Sequence, residues 1–159
     1  MPITWSKEYS IGLDQIDNQH KKLIFLINKL EVLTMYDTKH ADFKQRLDLI
    51  IQDLLNYTIL HFSTEEVLMD MFEYKESAEH KRTHDSFVDL IKMEQEKLEL
   101  LIANGDWTTV EKELKMILKF LQNWLITHIL KSDKQYTEFF LEIQKKAKKQ
   151  GGWFAFLKG

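Results

Sequence analysis

The sequence predicts an all-α fold: an up-down-up-down antiparallel four-helix bundle with an N-terminal arm and a short C-terminal extension. The chain of 159 residues has one proline and five glycines, so little interrupts a helix. Apolar residues recur every three or four positions, which is the period of an amphipathic helix. The breaks between these periodic segments are short, and short connections join antiparallel neighbours in a bundle.

The apolar period places the elements along the chain. In approximate numbers, the four predicted helices span residues 18–35, 41–71, 77–103 and 107–149. The length suits one core, so we expect a single domain. We assign residues 1–145 to the bundle, with 1–17 as its arm, and 146–159 to a basic and aromatic extension.

Polar residues at the expected boundaries predict the helix ends. Asp37 or Thr38 is placed to cap the second helix, and Ser77 to cap the third. A capping box beginning at Thr108 is expected on the fourth helix. Gly105 is expected to close the third helix, because glycine readily adopts the left-handed conformation.

Composition excludes several classes of function. A formal net charge of -3, with 22 basic and 25 acidic residues, gives no general attraction to nucleic acid. The absence of cysteine excludes disulfides, thiol catalysis and thiolate-bound metals, so any metal must have nitrogen and oxygen ligands. No segment resembles a secretory signal or a membrane span, which indicates a cytoplasmic protein.

Five of the six histidines form a spaced series with two acidic residues: His20, His61, Glu65, His80, His84, His128 and Asp133. Two pairs in this series have four-residue spacing, which places both side chains on one face of a helix. Each predicted helix carries at least one member, and facing helices build metal sites in bundle cores. The series therefore predicts a dinuclear site with nitrogen and oxygen ligands. His40 lies outside the series and is expected at the surface.

The spacing between His128 and Asp133 is unusual. Five residues correspond to about 140° around a regular helix, which would direct the two side chains apart. We therefore predict a π-helical turn between Ile129 and Asp133. Tyr136 is expected to donate a hydrogen bond to the carboxylate of Asp133, although an ordinary buried tyrosine is an equal alternative.

The order of these motifs resembles the hemerythrin family. Residues 11–20 (IGLDQIDNQH), with Trp5 upstream, resemble the opening segment of bacterial members, and residues 61–66 (HFSTEE) resemble their second-helix signature. The resemblance covers roughly residues 5–140 and fills all seven expected ligand positions. One departure is Lys75 after Tyr74, where the family often has proline.

The resemblance implies two iron ions joined by a bridging oxo or hydroxo group. It implies that one iron is bound by His80, His84 and His128, the other by His20 and His61, and both by Glu65 and Asp133. The second iron then has one ligand fewer, which leaves a coordination position open for a small diatomic molecule. This implies reversible dioxygen binding, for storage or for delivery to an oxygen-using enzyme, and not catalysis.

Two other functions stay open: an oxygen or redox sensor, and a peroxide or nitric oxide reductase. The Glu-x-x-His pairs of carboxylate-rich di-iron oxygenases are absent from the sequence, which favours reversible binding over substrate oxidation. Phe62, Trp124 and Leu125 are the expected apolar walls of an oxygen pocket, with ordinary core packing as the alternative. The extension is expected either to fold back on the bundle or to contact a membrane surface or a partner, although so short a segment would bind lipid weakly.

Overall fold

In the computed structural model, residues 1–149 are described, without the side chains of residues 144 and 146–149, and within this range the chain forms helices and no strands. The elements are a 3-10 turn, Lys7–Tyr9; α1, Asp14–Leu33; α2, Phe43–Met71; α3, Ser77–Ala103; α4, Trp107–Thr127; a π-helix, His128–Asp133; and α5, Lys134–Lys149. Most of the predicted extension lies outside the described residues.

The helices form the predicted four-helix bundle. The segment α4, the π-helix and α5 follow one another without a break and together make the fourth helix of the bundle. Helix α1 lies beside α2 and α4, and α3 lies between α2 and α4. This ring of sequential neighbours, joined by short connections, has the up-down-up-down topology.

The arm is shorter than predicted, because α1 begins at Asp14 and not near residue 18. The Asp17 carboxylate accepts hydrogen bonds from the Ser10 hydroxyl and from the backbone N–H of Ile11, at 2.9 Å for the latter. Acidic side chains in the first turn also interact favourably with the helix dipole. Asp17 therefore stabilises the helix start and the end of the arm together.

The arm lies along α1. The backbone N–H of Ile3 donates to the side-chain oxygen of Asn28, and the Asn28 amide donates to the carbonyl of Ile3, both at 2.9 Å. Ile11 and Leu13, at the end of the arm, are buried in the core. The arm thus closes one side of the bundle, as its apolar residues indicate.

The caps differ from the sequence prediction. Helix α4 is capped by Asp106, which accepts from the backbone N–H of Thr109 at 3.1 Å, while Thr108 lies inside the helix. Thr38 does not cap α2; its buried hydroxyl donates to Glu111 at 2.9 Å and ties the α1–α2 connection to α4. The Asp37 side chain accepts a hydrogen bond from the backbone N–H of Lys39, within the α1–α2 connection.

Two helices end in the same hydrogen-bonded turn. After α3, Gly105 has φ +70, and the N–H of Asp106 donates to the carbonyl of Leu101 at 3.0 Å. After α2, Glu73 has φ 53, and the N–H of Tyr74 donates to the carbonyl of Met69 at 2.9 Å. This pattern is the Schellman motif, in which the left-handed position favours glycine. The sequence therefore places a strained glutamate at the α2–α3 turn.

The predicted π-helical turn is confirmed over His128–Asp133. Its wider turn accommodates one extra residue, so that α5 keeps the same face toward the bundle as α4. As a result Asp133, Tyr136 and Phe140 are all buried, each at most 1% exposed.

The apolar core fills the bundle away from the histidines. Toward the end where α1 finishes and α2 starts, the fully or almost fully buried side chains include Leu30, Phe43, Val110 and Leu114. No helix within residues 1–149 is long and apolar enough to cross a membrane.

Substituting Glu73 with glycine should stabilise the protein, because it removes the cost of a left-handed residue with a side chain. We expect the free energy of unfolding to rise by about 0.5–1 kcal/mol, and to fall by about 1 kcal/mol in Gly105→Ala. Chemical denaturation measures both. Glu76→Gly is the control, because Glu76 has φ -88 and gains no relief; a stabilised control would contradict the explanation.

Changing the length of the π-helix by one residue tests its role. Deleting the exposed Lys131 should leave a regular helix with Tyr136 and Phe140 still on the core, and shift the melting temperature by only a few degrees. Inserting one alanine after Lys131 should rotate α5 by about 100° and expose both rings. We expect the insertion to lower the melting temperature by more than about 10 °C, because buried aromatic side chains each contribute about 3 kcal/mol or more. Equal melting temperatures for the two variants would refute this role.

Candidate metal centre

The seven residues of the predicted series meet at one end of the bundle interior, and each is at most 7% exposed. Helix α1 contributes His20, α2 contributes His61 and Glu65, α3 contributes His80 and His84, and the π-helix contributes His128 and Asp133. His40 is outside the cluster and has a side chain that is 54% exposed, which confirms the prediction for it.

The seven side chains form two groups that could each hold a metal ion. The three-histidine group consists of Glu65, His80, His84 and His128, and the two-histidine group of His20, His61, Glu65 and Asp133. Within each group the candidate ligand atoms lie within 4.8 Å of one another. Glu65 belongs to both groups, so the groups are adjacent.

The Glu65 carboxylate divides its oxygens between the two groups. Its Oε1 lies 3.6 Å from His61 Nε2, in the two-histidine group. Its Oε2 lies 3.2 Å from His84 Nε2 and 3.7 Å from His80 Nε2, in the three-histidine group. One carboxylate is therefore placed to serve two ions.

Asp133 is arranged in the same way. Its Oδ2 lies 3.2 Å from His20 Nε2, and its Oδ1 lies 3.0 Å from His128 Nε2 and 3.5 Å from His80 Nε2. Both oxygens lack a hydrogen bond of acceptable geometry. The π-helix makes this position possible, since a regular helix would carry Asp133 away from His128.

The buried polar atoms of the cluster fit bound metal ions. Atoms without a hydrogen-bond partner include the Nε2 atoms of His20, His61 and His80, Glu65 Oε2 and both Asp133 oxygens. Buried polar atoms are normally paired, because an unpaired one loses its hydration without compensation. Imidazole nitrogens and carboxylate oxygens suit transition metals such as iron, so the donor set and the unpaired atoms agree.

The electrostatics also favour cations. Burial opposes charge on Glu65, but His61 and the imidazoles of the three-histidine group hold the pKa of its carboxyl well below the ordinary value. For Asp133, burial and the neighbouring Glu65 carboxylate act to raise the pKa, but the larger combined effect of His128 and His20 lowers it below the ordinary value. Two carboxylates thus remain anionic in the interior at neutral pH.

The imidazoles respond in opposite directions. Burial lowers the pKa of His61 to about 4, so this ring is neutral at pH 7 and its Nε2 can bind a metal. Burial acts on His128 in the same sense, but the nearby Asp133 carboxylate outweighs it and raises the pKa of His128 to about 10.

Two histidines have outer hydrogen bonds that the sequence reasoning did not identify. His61 Nδ1 donates to Gln19 Oε1 at 3.0 Å, and Gln19 Nε2 donates to the Thr64 hydroxyl at 3.1 Å. His84 Nδ1 donates to Glu66 Oε1 at 3.0 Å. Gln19 and Glu66 each stand next to a candidate ligand in sequence, but adjacency alone does not predict such contacts. Both bonds leave Nε2 of the ring facing the cluster.

Tyr136 donates a hydrogen bond to a carboxylate of the cluster, but the expected partner was wrong. Its hydroxyl lies 2.5 Å from Glu65 Oε1, on α2, and not at Asp133. The π-helix carries Tyr136 across to α2, which sequence spacing along one helix could not reveal. Burial and the adjacent Glu65 carboxylate raise the pKa of Tyr136 well above its ordinary value, so the phenol keeps its proton.

The three predicted pocket residues lie on the core side of the cluster. Phe62 stacks on His84, with ring centroids 3.7 Å apart and planes 2° apart, and Trp124 stacks on His128 at 4.3 Å and 13°. Phe62 also lies 5.7 Å from His61. Together with Leu125 they line an apolar cavity of about 20 Å³ in the bundle core, where Thr58 is the one polar lining residue.

The family model described as the hemerythrin HHE cation binding domain matches residues 11–140. A bacteriohemerythrin of Clostridium acetobutylicum is 31% identical over 134 residues, which cover 84% of this chain and 98% of the relative. A bacteriohemerythrin of Pseudomonas aeruginosa is 29% identical over 156 residues, covering 96% and 93%, and a hemerythrin-like protein of Naegleria gruberi is 30% identical over 135 residues, covering 85% and 91%. Because the family model spans most of the sequence, the chain belongs to the hemerythrin family.

Proposed function

We propose that this protein binds two iron ions, one in each group of the cluster, and binds dioxygen reversibly there. The observation that carries the proposal is the pair of buried carboxylates, Glu65 and Asp133, each with one oxygen toward each histidine group. Membership of the hemerythrin family supports iron as the metal and dioxygen as the ligand.

The donor count differs between the two ions. His80, His84 and His128 would hold one iron, and His20 and His61 the other, with Glu65 and Asp133 shared. The two-histidine group supplies one nitrogen fewer, so an iron held there would have fewer protein ligands and could take a small ligand. When bound, the iron pair would supply two electrons and a position for a diatomic molecule.

The surrounding side chains keep the site dry and its carboxylates fixed. His20 and His61 are both 0% exposed, and the apolar ring of Phe62 lies 5.7 Å from the ring of His61. Tyr136 holds its proton at the hydroxyl that contacts Glu65 Oε1, the oxygen that faces His61. This bond fixes the carboxylate and partly offsets its charge.

The apolar space on the core side of the cluster is small, which supports binding of a small ligand over oxidation of an organic substrate. The cavity there is lined by Phe62, Trp124 and Leu125, among other core residues, and by no residue of the cluster, and its volume is about 20 Å³. This is roughly the space of one or two small molecules such as water or a diatomic gas. We therefore propose storage of dioxygen, or its delivery to an oxygen-using enzyme, as the role of the protein.

Reconstitution with ferrous iron tests the proposal directly. Under anaerobic conditions the chain should bind two irons, and a visible absorption band should appear on adding oxygen and fade under argon. His61→Ala removes one of only two nitrogens of its group, so we expect bound iron to fall toward one per chain and the reversible band to disappear. Metal analysis and absorption spectra give both results.

His40→Ala is the matched control, because it removes an imidazole outside the cluster and should keep both irons and the band. Irreversible oxidation on the first exposure to oxygen would instead indicate redox catalysis. Failure of the unmodified chain to hold two irons would reject the site assignment.

The pH dependence of iron binding follows from the proton on His128. A ligating nitrogen must be unprotonated, and the pKa of His128 is about 10 in the metal-free protein, so iron has to displace this proton at neutral pH. Rising pH therefore favours iron, and acid favours its release. We expect affinity to fall steadily from about pH 8 to pH 5, as measured by competition with a chelator. An affinity independent of pH would contradict this assignment.

A further inference from the structure

We propose that Glu66 and Gln19 are positioning residues that make the two metal ions unequal. Glu66 places a negative charge behind the three-histidine group, whereas Gln19 places a neutral amide behind the two-histidine group. The inference rests on the proposed function, because it concerns the ions that the two groups would hold.

The two outer contacts are geometrically alike. Glu66 Oε1 accepts from His84 Nδ1 at 3.0 Å, and Gln19 Oε1 accepts from His61 Nδ1 at the same distance. Each bond fixes the ring tautomer with the proton on Nδ1, so that Nε2 is free for a metal. The contacts differ in charge and hardly at all in length.

The Glu66 contact is held in place from both sides. Phe62 stacks on the face of the His84 ring, so the ring is not free to turn away from the carboxylate. On the outer side, Lys81 Nζ lies 3.0 Å from Glu66 Oε2. Lys81 is 53% exposed and Glu66 23% exposed, so solvent screens that pair, whereas His84 is only 1% exposed. The negative charge of Glu66 therefore affects the buried His84 ring more strongly than the exposed positive charge of Lys81 can offset.

The Gln19 contact is held equally well but carries no charge. Gln19 is 8% exposed, and its amide donates to the Thr64 hydroxyl, which itself donates to the carbonyl of Leu60 at 2.8 Å. This chain fixes the orientation of the amide, with its oxygen toward His61. A glutamate in place of Gln19 could keep the bond to His61, because the Thr64 hydroxyl can turn and donate to it.

The charge difference has a predictable chemical effect. An imidazole that donates to a carboxylate is a stronger metal ligand and stabilises a higher positive charge on its metal. An iron in the three-histidine group should thus be bound more tightly and oxidised more easily than it would be by the same ligands without the Glu66 carboxylate. The two-histidine iron, which has the open position, lacks this contribution and keeps the character set by its neutral donors.

Two substitutions with opposite charge changes test the inference. Glu66→Gln keeps the shape and removes the charge, and Gln19→Glu adds a charge at the matching position. The ferrous-loaded proteins are compared by midpoint potential, from spectroelectrochemistry, and by the rate of iron release to a chelator. We expect Glu66→Gln to raise the potential and release iron about tenfold faster. Gln19→Glu should lower the potential.

Matched controls separate this effect from a general change in charge. Asp85→Asn removes the other carboxylate bonded to Lys81, at 3.3 Å, without touching a histidine of the cluster. Gln15→Glu adds a charge at an exposed position of α1, one turn before Gln19. Both should keep the potential and the iron-release rate of the unmodified chain.

The possible failures are distinguishable. If the unmodified chain does not hold iron, the proposed function and this inference both fall. Only this inference is overturned if the unmodified chain holds iron and Glu66→Gln has the same midpoint potential as the unmodified chain. The same conclusion follows if Glu66→Gln and Gln19→Glu shift the midpoint potential in the same direction. If Glu66→Gln loses iron altogether, the midpoint potential of Gln19→Glu is the test. A lower potential than that of the unmodified chain supports the inference, and an equal or higher one overturns it.

Discussion

The sharing of two buried carboxylates between two sets of histidines is the constraint on which the rest of the structure depends. Glu65 and Asp133 come from helices on opposite sides of the interior, yet each has one oxygen near each group. A shift of one residue along any helix would rotate its ligand by about 100° and break the arrangement. The cluster therefore fixes, for every helix that contributes to it, the rotation about the helix axis and the position along the bundle.

This constraint divides the interior into two parts with different energetics. The polar end buries five imidazoles and two carboxylates, several of them without hydrogen-bond partners, which opposes folding in the metal-free chain. The apolar end buries residues such as Leu30, Phe43 and Leu114, each contributing about 1.5–3 kcal/mol by leaving water. The apolar end and the arm thus stabilise a fold within which the polar end can remain preorganised.

Much of this was predictable, because spacing carries angular information. Four-residue spacing predicted which side chains share a helix face, and the five-residue spacing from His128 to Asp133 required the π-helix that the structure has. Predictions failed where the partner lies on another helix or where several polar residues compete for a cap. Tyr136 contacts Glu65 and not Asp133, Asp106 caps α4 in place of Thr108, and α1 starts earlier because Asp17 binds the arm. The roles of Gln19 and Glu66 depend on contacts between helices, which one sequence does not specify.

The stacking of Trp124 on His128 has an optical consequence. Among the tryptophans within residues 1–149, Trp124 is the one in ring contact with the cluster, at 4.3 Å from an imidazole, whereas Trp107 packs against Phe43 near the opposite end of the bundle. An iron ion on that imidazole would lie close enough to quench the indole, while a distant tryptophan would be affected far less. The intrinsic fluorescence of the protein thus contains a local reporter of the occupancy of the three-histidine group, without any added label.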